Sequence, residues 1–262
     1  SRPMPSASGS ILDSFRLDGK TALVTGASRG LGAALARALA EAGADVILVA
    51  RGDLSATRAL VESAGRRAYT FSADQASRPS LDRLMAALGD TLPMPDILVN
   101  NGGTIKRAPF VESPLADWDE VIETNLTSVF RLSQRVAAAW VAAKRPGKII
   151  HTASMLSFQG GVRVAAYTAS KSALAGLTRL MANELAPHHI NVNSIAPGYM
   201  ATDNTAQLRA DPVRNQAILD RIPAARWGES SDLAGAVVFL ASPASNYVHG
   251  HILAVDGGWL AR

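Results

Sequence analysis

The stretch TGASRGLG (Thr25 to Gly32) lies between an apolar run, KTALVT (Lys20 to Thr25), and a helical pattern, LGAALARALAEAG, that Gly43 closes. Strand, glycine-rich turn and helix make the first half of a βαβ unit, and a second strand, ADVILVA (Ala44 to Ala50), follows directly. Such a unit demands a parallel sheet covered by helices. The glycine spacing is GxxxGxG rather than GxGxxG, so the reading rests on this strand-turn-helix context. Backbone amides at the helix start cradle a pyrophosphate only if side chains at Gly26, Gly30 and Gly32 leave the approach open. Ser28, Arg29 and Leu31 complete the candidate cradle. A tight turn without a ligand is the plainer alternative.

The residue closing the second strand is expected to meet the ribose of the bound dinucleotide. An acidic side chain there hydrogen-bonds a 2′-hydroxyl, whereas a basic one accommodates a 2′-phosphate. This chain has Ala50 followed by Arg51, with Arg29 inside the glycine turn. Two guanidiniums at one corner suit a phosphate, which favours NADP(H). NAD(H) stays open because Asp53, slightly later, is within reach of a ribose hydroxyl.

Further strands are predicted at RRAYTFSAD (Arg66 to Asp74), PDILVNNGG (Pro95 to Gly103), KIIHTA (Lys148 to Ala153), HHINVNSIAPG (His188 to Gly198) and HILAVDGG (His251 to Gly258). Helical patterns alternate with them, so the expected fold is α/β: a single-domain, Rossmann-type doubly wound parallel sheet of about seven strands with helices on both faces. SRPMPSASGS opens the chain with small polar residues, and residues 1–16 are expected to be a disordered tail before one domain over 17–262. Asp-Pro and Ile-Pro breaks mark residues 199–227 as an excursion and a candidate lid.

Composition narrows the function classes. There are no cysteines, which fits a reducing compartment and excludes thiolate chemistry; the five histidines show no metal-ligand spacing, so no metal is expected. The net charge of +4 comes from scattered basic residues. No nucleic-acid groove is expected from it, and no apolar run is long enough for a membrane span.

The chemistry concentrates in HTASMLSFQGGVRVAAYTASK (His151 to Lys171). Tyr167 and Lys171 are i and i+4 on one helix face, so an ammonium lies beside a phenol. A neighbouring cation is expected to lower the phenol pKa from about 10 toward the working range. Ser154, at the end of the preceding strand, can hydrogen-bond a carbonyl oxygen or alkoxide. A surface Tyr–Lys pair is the bland alternative. Asn125 interrupts the apolar stripe of a long helical pattern, Pro114 to Ala143, and reads equally as a core amide satisfied by backbone. Asp74 at the third strand end could face an adenine amino group.

TGASRGLG, NNGG, Asn125, Ser154, YTASK and IAPGYMAT, in that order, resemble the short-chain dehydrogenase/reductase family over nearly the whole chain after the tail. The resemblance implies a catalytic tetrad of Asn125, Ser154, Tyr167 and Lys171, with Asn125 holding a water that refills the proton through Lys171. It implies cofactor contacts from Asp74 and Gln75, from Asn100 and Gly102 on the adenosine side, from Tyr167 and Lys171, and from Pro197, Gly198, Met200 and Thr202 toward the nicotinamide. One departure is Gly103, where the family usually shows alanine in NNAG.

SMLSFQGGVRV, SIAPGYMATDNT and AVDGGWLAR look like the family's sugar-acid branch of gluconate and deoxygluconate dehydrogenases. That implies a secondary alcohol interconverted with a ketone on a sugar acid, whose carboxylate needs a cation; Arg163 and Arg107 are the candidates. Ketoacyl or other ketone reduction, and a non-catalytic dinucleotide sensor, are the alternatives. Likeness to the family also implies a homotetramer, with the apolar C-terminal end expected to be buried against another subunit, and the cysteine-free composition fits a cytoplasmic setting.

Overall fold

The computed structural model describes residues 9–262. Seven strands alternate with helices: β1 Thr21–Thr25, α1 Gly30–Glu41, β2 Asp45–Ala50, α2 Ser55–Ser63, β3 Ala68–Ser72, α3 Arg78–Ala87 and β4 Ile97–Asn100 form the first half. The second half is α4 Leu115–Ile122, α5 Ser128–Ala142, β5 Gly147–Thr152, α6 Ala165–Leu185, β6 Ile190–Pro197, α7 Ala206–Ala210, α8 Pro212–Arg221, α9 Ala234–Ala241 and β7 Ile252–Val255. All strand pairs are parallel, in the order β3-β2-β1-β4-β5-β6-β7. The expected doubly wound sheet of seven strands is therefore what the chain forms.

Strand runs such as ALV and ILV are continuously apolar because both sheet faces are covered. Val24, Val46, Leu48, Val99 and Ile150 pack on one side with Leu35, Leu39, Val237 and Leu240 of α1 and α9. Leu23, Ile47, Val49, Leu98 and Ile149 pack on the other with Leu84, Leu132, Val136 and Trp140 of α3 and α5. The alternation along each strand follows the two-residue period of a pleated strand. Burying each such side chain stabilises the fold by about 1.5–3 kcal/mol.

The chain runs outward from β1 through β2 to β3, then crosses back to place β4 on the other side of β1. At this reversal the loops after β1 and β4 diverge and leave a crevice at the carboxyl ends of the strands, which is where ligands bind in such sheets.

Two boundaries differ from expectation. Residues 11–15 form a 3-10 turn capped by the Ser10 hydroxyl, and Phe15 packs against Phe239 of α9 at 6.2 Å between ring centres. The tail is thus shorter than 1–16, because an aromatic contact repays the ordering of its second half; residues 1–8 lie outside the described residues. The long helical pattern from Pro114 is broken by a π-helical turn at Glu123–Thr127, and Asn125 sits inside it. Among the described residues no helix is long and apolar enough to cross a membrane.

Candidate active site and dinucleotide cradle

The glycine turn is built by close approach. Gly26 has a φ of +62°, and a Cβ there would lie 2.7 Å from Gly102 Cα; one on Gly32 would lie 2.0 Å from the Gly26 carbonyl. These two glycines serve packing of the turn against β4 and α1, not ligand access. Gly30 differs: its φ is +55° and the space over it is open. Arg29, at the α1 N-cap, makes no side-chain cap, so the first-turn amides beside Gly30 keep their hydrogen-bonding capacity. An open glycine next to uncapped amides fits a phosphate group.

Thr25, assigned no role of its own from the sequence, and Asn101, expected with Asn100 at the carboxyl ends of the strands facing the crevice, hold this turn in place. Thr25 Oγ1 accepts from the amides of Asn101 (3.0 Å) and Gly102 (2.9 Å), and Asn101 Nδ2 donates to the carbonyl of Thr25 at 3.3 Å. The signal was present in NNGG, but only the pairing of β1 with β4 shows that its second asparagine faces β1.

At the ribose corner the Ala27 amide donates to the Val49 carbonyl at 3.1 Å, which brings the glycine turn beside the end of β2. Arg29 and Arg51 are both exposed on this corner. Asp53, the competing hydroxyl acceptor, is already engaged: its carboxylate accepts from the Ser55 amide (3.0 Å) and Ser55 hydroxyl (2.7 Å), which holds its pKa below the ordinary carboxylate value.

Several residues expected to touch the cofactor spend their side chains elsewhere. Asn100 points into the interior, where Nδ2 reaches Ser133 Oγ at 3.0 Å and His151 Nδ1 at 3.1 Å. Strand alternation puts it, like Leu98, on the face covered by α3 and α5, where it is buried. Met200 is 5% exposed and packs in the core, with its sulfur under Gly228. Gln75 donates to Ser128 Oγ at 3.0 Å, and Asp74 accepts from the Ala76 amide at 2.9 Å. Gln75 also explains the departure from NNAG. Aligned with NNAG the alanine falls at Gly102 rather than at the expected Gly103, and a Cβ there would fall 1.7 Å from Gln75 Oε1. Pro197 ends β6, Gly198 abuts Asp256 too closely for a side chain, and Thr202 caps the turn that leads into α7.

The catalytic candidates do converge. Lys171 Nζ lies 5.5 Å from the centre of the Tyr167 ring and donates to the Thr152 carbonyl at 2.7 Å. Ser154 leaves β5 and caps the turn Met155–Ser157, its hydroxyl accepting from the Leu156 amide at 3.1 Å. Ser157 ties this turn to α6 by donating to the Lys171 carbonyl at 2.6 Å. Asn125 Oδ1 accepts from the Thr104 amide at 2.8 Å, and its Nδ2 donates to the Thr104 carbonyl at 2.9 Å and reaches Ser170 Oγ at 3.3 Å. Its amide therefore clamps the loop after β4 and has both donors committed; the backbone-satisfied reading describes the side chain, and a water held by that side chain does not. Asn125 Oδ1 and Lys171 Nζ meet over Gly103, where a Cβ would lie 3.3 Å from one and 3.9 Å from the other.

The electrostatics differ from the sequence reading. Burial raises the Tyr167 pKa above its ordinary value, and the Ser154 hydroxyl and the Arg107 charge act against it without overcoming it. Lys171 is not among the groups that lower it. Burial instead pushes Lys171 itself down to about 8, because its charge is paired only with a carbonyl dipole. His151, fully buried, is pushed down to about 3 by burial and by Lys171.

Of the two carboxylate-binding candidates, Arg107 is the one whose charge reaches the phenol. Arg163 lies beside it in the chain path, since the Ala108 amide donates to the Arg163 carbonyl at 2.9 Å; its own φ is +65°. At the C-terminal end Trp259 is 6% exposed and packs inside its own chain against Tyr199, ring centres 4.6 Å apart, while Ala261 and Arg262 are exposed.

A family model described as enoyl-(acyl carrier protein) reductase matches residues 26–260. A 2-dehydro-3-deoxy-D-gluconate 5-dehydrogenase of Escherichia coli (strain K12) is 54% identical over 256 residues, which cover 96% of this chain and 100% of that protein. A gluconate 5-dehydrogenase of Gluconobacter oxydans (strain 621H) is 41% identical over 248 residues, with 94% and 96% covered. The crystal structure of a gluconate 5-dehydrogenase from Burkholderia cenocepacia J2315 in complex with NADP and tartrate matches with a TM-score of 0.91 at 37% identity, covering 97% of this chain and 100% of that one. Open phosphate cradle, a half-buried Tyr167 and Ser154 beside the buried Lys171, and likeness along the whole sheet agree: the chain belongs to the short-chain dehydrogenase/reductase family of NAD(P)-dependent oxidoreductases.

Proposed function

We propose that the protein is an NADP(H)-dependent oxidoreductase interconverting a secondary alcohol and a ketone on a sugar acid such as a keto- or deoxygluconate. The observation that carries this is that Ser154 and Arg107 both act on the Tyr167 phenol, which brings a hydroxyl, a phenol and a cation to one place, and gluconate-class relatives support it. When bound, the reduced nicotinamide supplies a hydride to the ketone carbon. Tyr167 holds its proton in the neutral range and gives it to the oxygen that becomes the alcohol. Ser154 orients that oxygen. Lys171 braces α6 against the Thr152 carbonyl and lies where the proton is replaced. Asn125 fixes the loop beneath Lys171, and the widened turn around it is the place for the water that replenishes the proton.

Gly30 and the amides of residues 28–31 hold the pyrophosphate, with Pro197 to Thr202 on the nicotinamide side. Arg29 and Arg51 take the 2′-phosphate, since Asp53 is committed to Ser55. Arg107, helped by Arg163, binds the substrate carboxylate in a charge-assisted pair, under a lid formed by residues 199–227. The exposed apolar side chains Phe130 and Leu180 on neighbouring helices α5 and α6 suit contact with a second copy, as in a homotetramer, and a cytoplasmic setting belongs to the same proposal.

The test is NADPH oxidation with a panel of keto sugar acids, thioesters and steroids, repeated with NADH. Turnover confined to thioesters or steroids would replace the substrate class; no turnover with intact NADPH binding would favour a sensor. Arg107→Ala should raise KM for acid substrates more than Arg163→Ala does.

A further inference from the structure

Three segments far apart in sequence meet at one side chain outside the catalytic cluster. Gln159 lies in the loop between Ser154 and Tyr167, and its Oε1 accepts from Trp259 Nε1 in the C-terminal turn at 3.0 Å. The same oxygen is 3.5 Å from Arg221 Nη2, at the end of the lid helix α8. Arg221 also stacks on the Trp259 ring, 4.0 Å from its centre. Arg262 closes the arrangement from the other side, its guanidinium donating to the carbonyls of Asp220 and Arg221, the last two of α8.

Beneath these contacts lies a small apolar cluster of its own. Ala153 and Met155 from the serine turn, Ile222 after α8 and Trp259 are among its buried members, with Tyr199 and Ile218 packed against it. α8 has no fully buried residue; besides these contacts it is held by Ile218 against the cluster and by Asn215 Oδ1, which accepts from Trp227 Nε1 at 2.7 Å. A helix with so few buried contacts has the position of its C-terminal end set by the stacked guanidinium and the shared hydrogen bonds.

We infer that Gln159 and Trp259 are positioning residues: they tie α8 and the C-terminal turn to the loop that presents Ser154, so that covering the substrate and placing the serine hydroxyl are one event. The kinetic part rests on the ketone reduction proposed above; the structural part does not. Gln159 is the shared element because one amide oxygen serves donors from both other segments. A carboxylate at this position would keep that oxygen and add charge pairing with Arg221.

Two readouts test the idea in the full-length protein. Amide hydrogen exchange of residues 212–221 is compared in the parent, Gln159→Leu, Gln159→Glu and Trp259→Phe, the last removing the indole N–H with its five-membered ring while keeping an aromatic ring for Arg221 to stack on. Exchange in α8 should rise in Gln159→Leu and Trp259→Phe and return to the parent level in Gln159→Glu. In steady-state assays, Gln159→Leu and Trp259→Phe should raise the KM for the ketone about 5- to 10-fold, the size of one lost hydrogen bond, and leave the Kd for NADPH unchanged. Equal exchange in all four proteins, or Gln159→Glu behaving like Gln159→Leu, would overturn the inference. Should no ketone be reduced by the parent, the substrate reading fails while the exchange comparison still decides whether the tie exists.

Discussion

Lys171 lies one helical turn beyond Tyr167, 5.5 Å from its ring, yet its hydrogen bond goes to the carbonyl of Thr152. The pair therefore shares a buried space without an ion pair, and burial works against charge on both. The phenol stays protonated through the neutral range, as an acid in ketone reduction must. Reduction is expected to hold its rate across neutral pH and fall in the alkaline range, while alcohol oxidation, which needs the phenolate, rises with pH. Lys171, lowered to about 8, adds a break near that pH. Initial rates in both directions from pH 6 to 10 check this, and Tyr167→Phe should lose about 10²–10⁴-fold in kcat.

Gln75 occupies the space that a Cβ on Gly102 would need. Gly102→Ala should weaken NADPH binding and lower Tm, because Gln75 must abandon Ser128 to make room. Gln75→Ala should restore both in the double variant. A cycle of the two substitutions followed by titration calorimetry measures the coupling, expected to exceed about 1 kcal/mol for groups in contact.

His151 is completely buried with its pKa pushed down to about 3. Below pH 6.5 the unfolded chain binds a proton that the native protein refuses until about pH 3, so stability is lost as pH falls through that window. Between pH 6.5 and 5 the loss from this group is about 2 kcal/mol. Urea unfolding at the two pH values should show it in the parent and show less in His151→Gln.

Arg29 and Arg51 flank the ribose corner from the glycine turn and the end of β2. Replacing either with Ala should raise KM for NADPH about tenfold, the worth of a charge-assisted pair, and leave KM for NADH nearly unchanged. Equal losses with both cofactors would remove the phosphate assignment.

Gly147 lies directly under the ring of Trp140, and a Cβ there would sit 2.2 Å from it. Gly147→Ala should destabilise the protein by about 1–3 kcal/mol through overpacking. The Trp140 indole, fully buried and donating to the Pro95 carbonyl at 2.8 Å, reports the shift by fluorescence.

Much of the site was legible in the chain because its chemistry is local. Tyr167 and Lys171 share a helix face by spacing alone, Ser154 follows a strand end, and Gly30 opens a helix. Asn100 and Met200 misled because a motif does not say which way a side chain turns. Alternation along β4 sends Asn100 inward, and the packing of Met200 under Gly228 exists only once the segment after β6 folds over it.

What the amino-acid order determined by itself is whatever periodicity and short-range geometry control: seven apolar strands, the helices between them, the glycine turn, and the residue types needed for proton transfer. Tertiary structure alone decided which charges those residues carry and which of them meet. The Tyr167 pKa depends on burial by distant segments, Asn125 on a loop about twenty residues earlier, and Gln159 on a tryptophan 100 positions away. Desolvation and long-range contact are properties of the packed chain, and no local pattern encodes them.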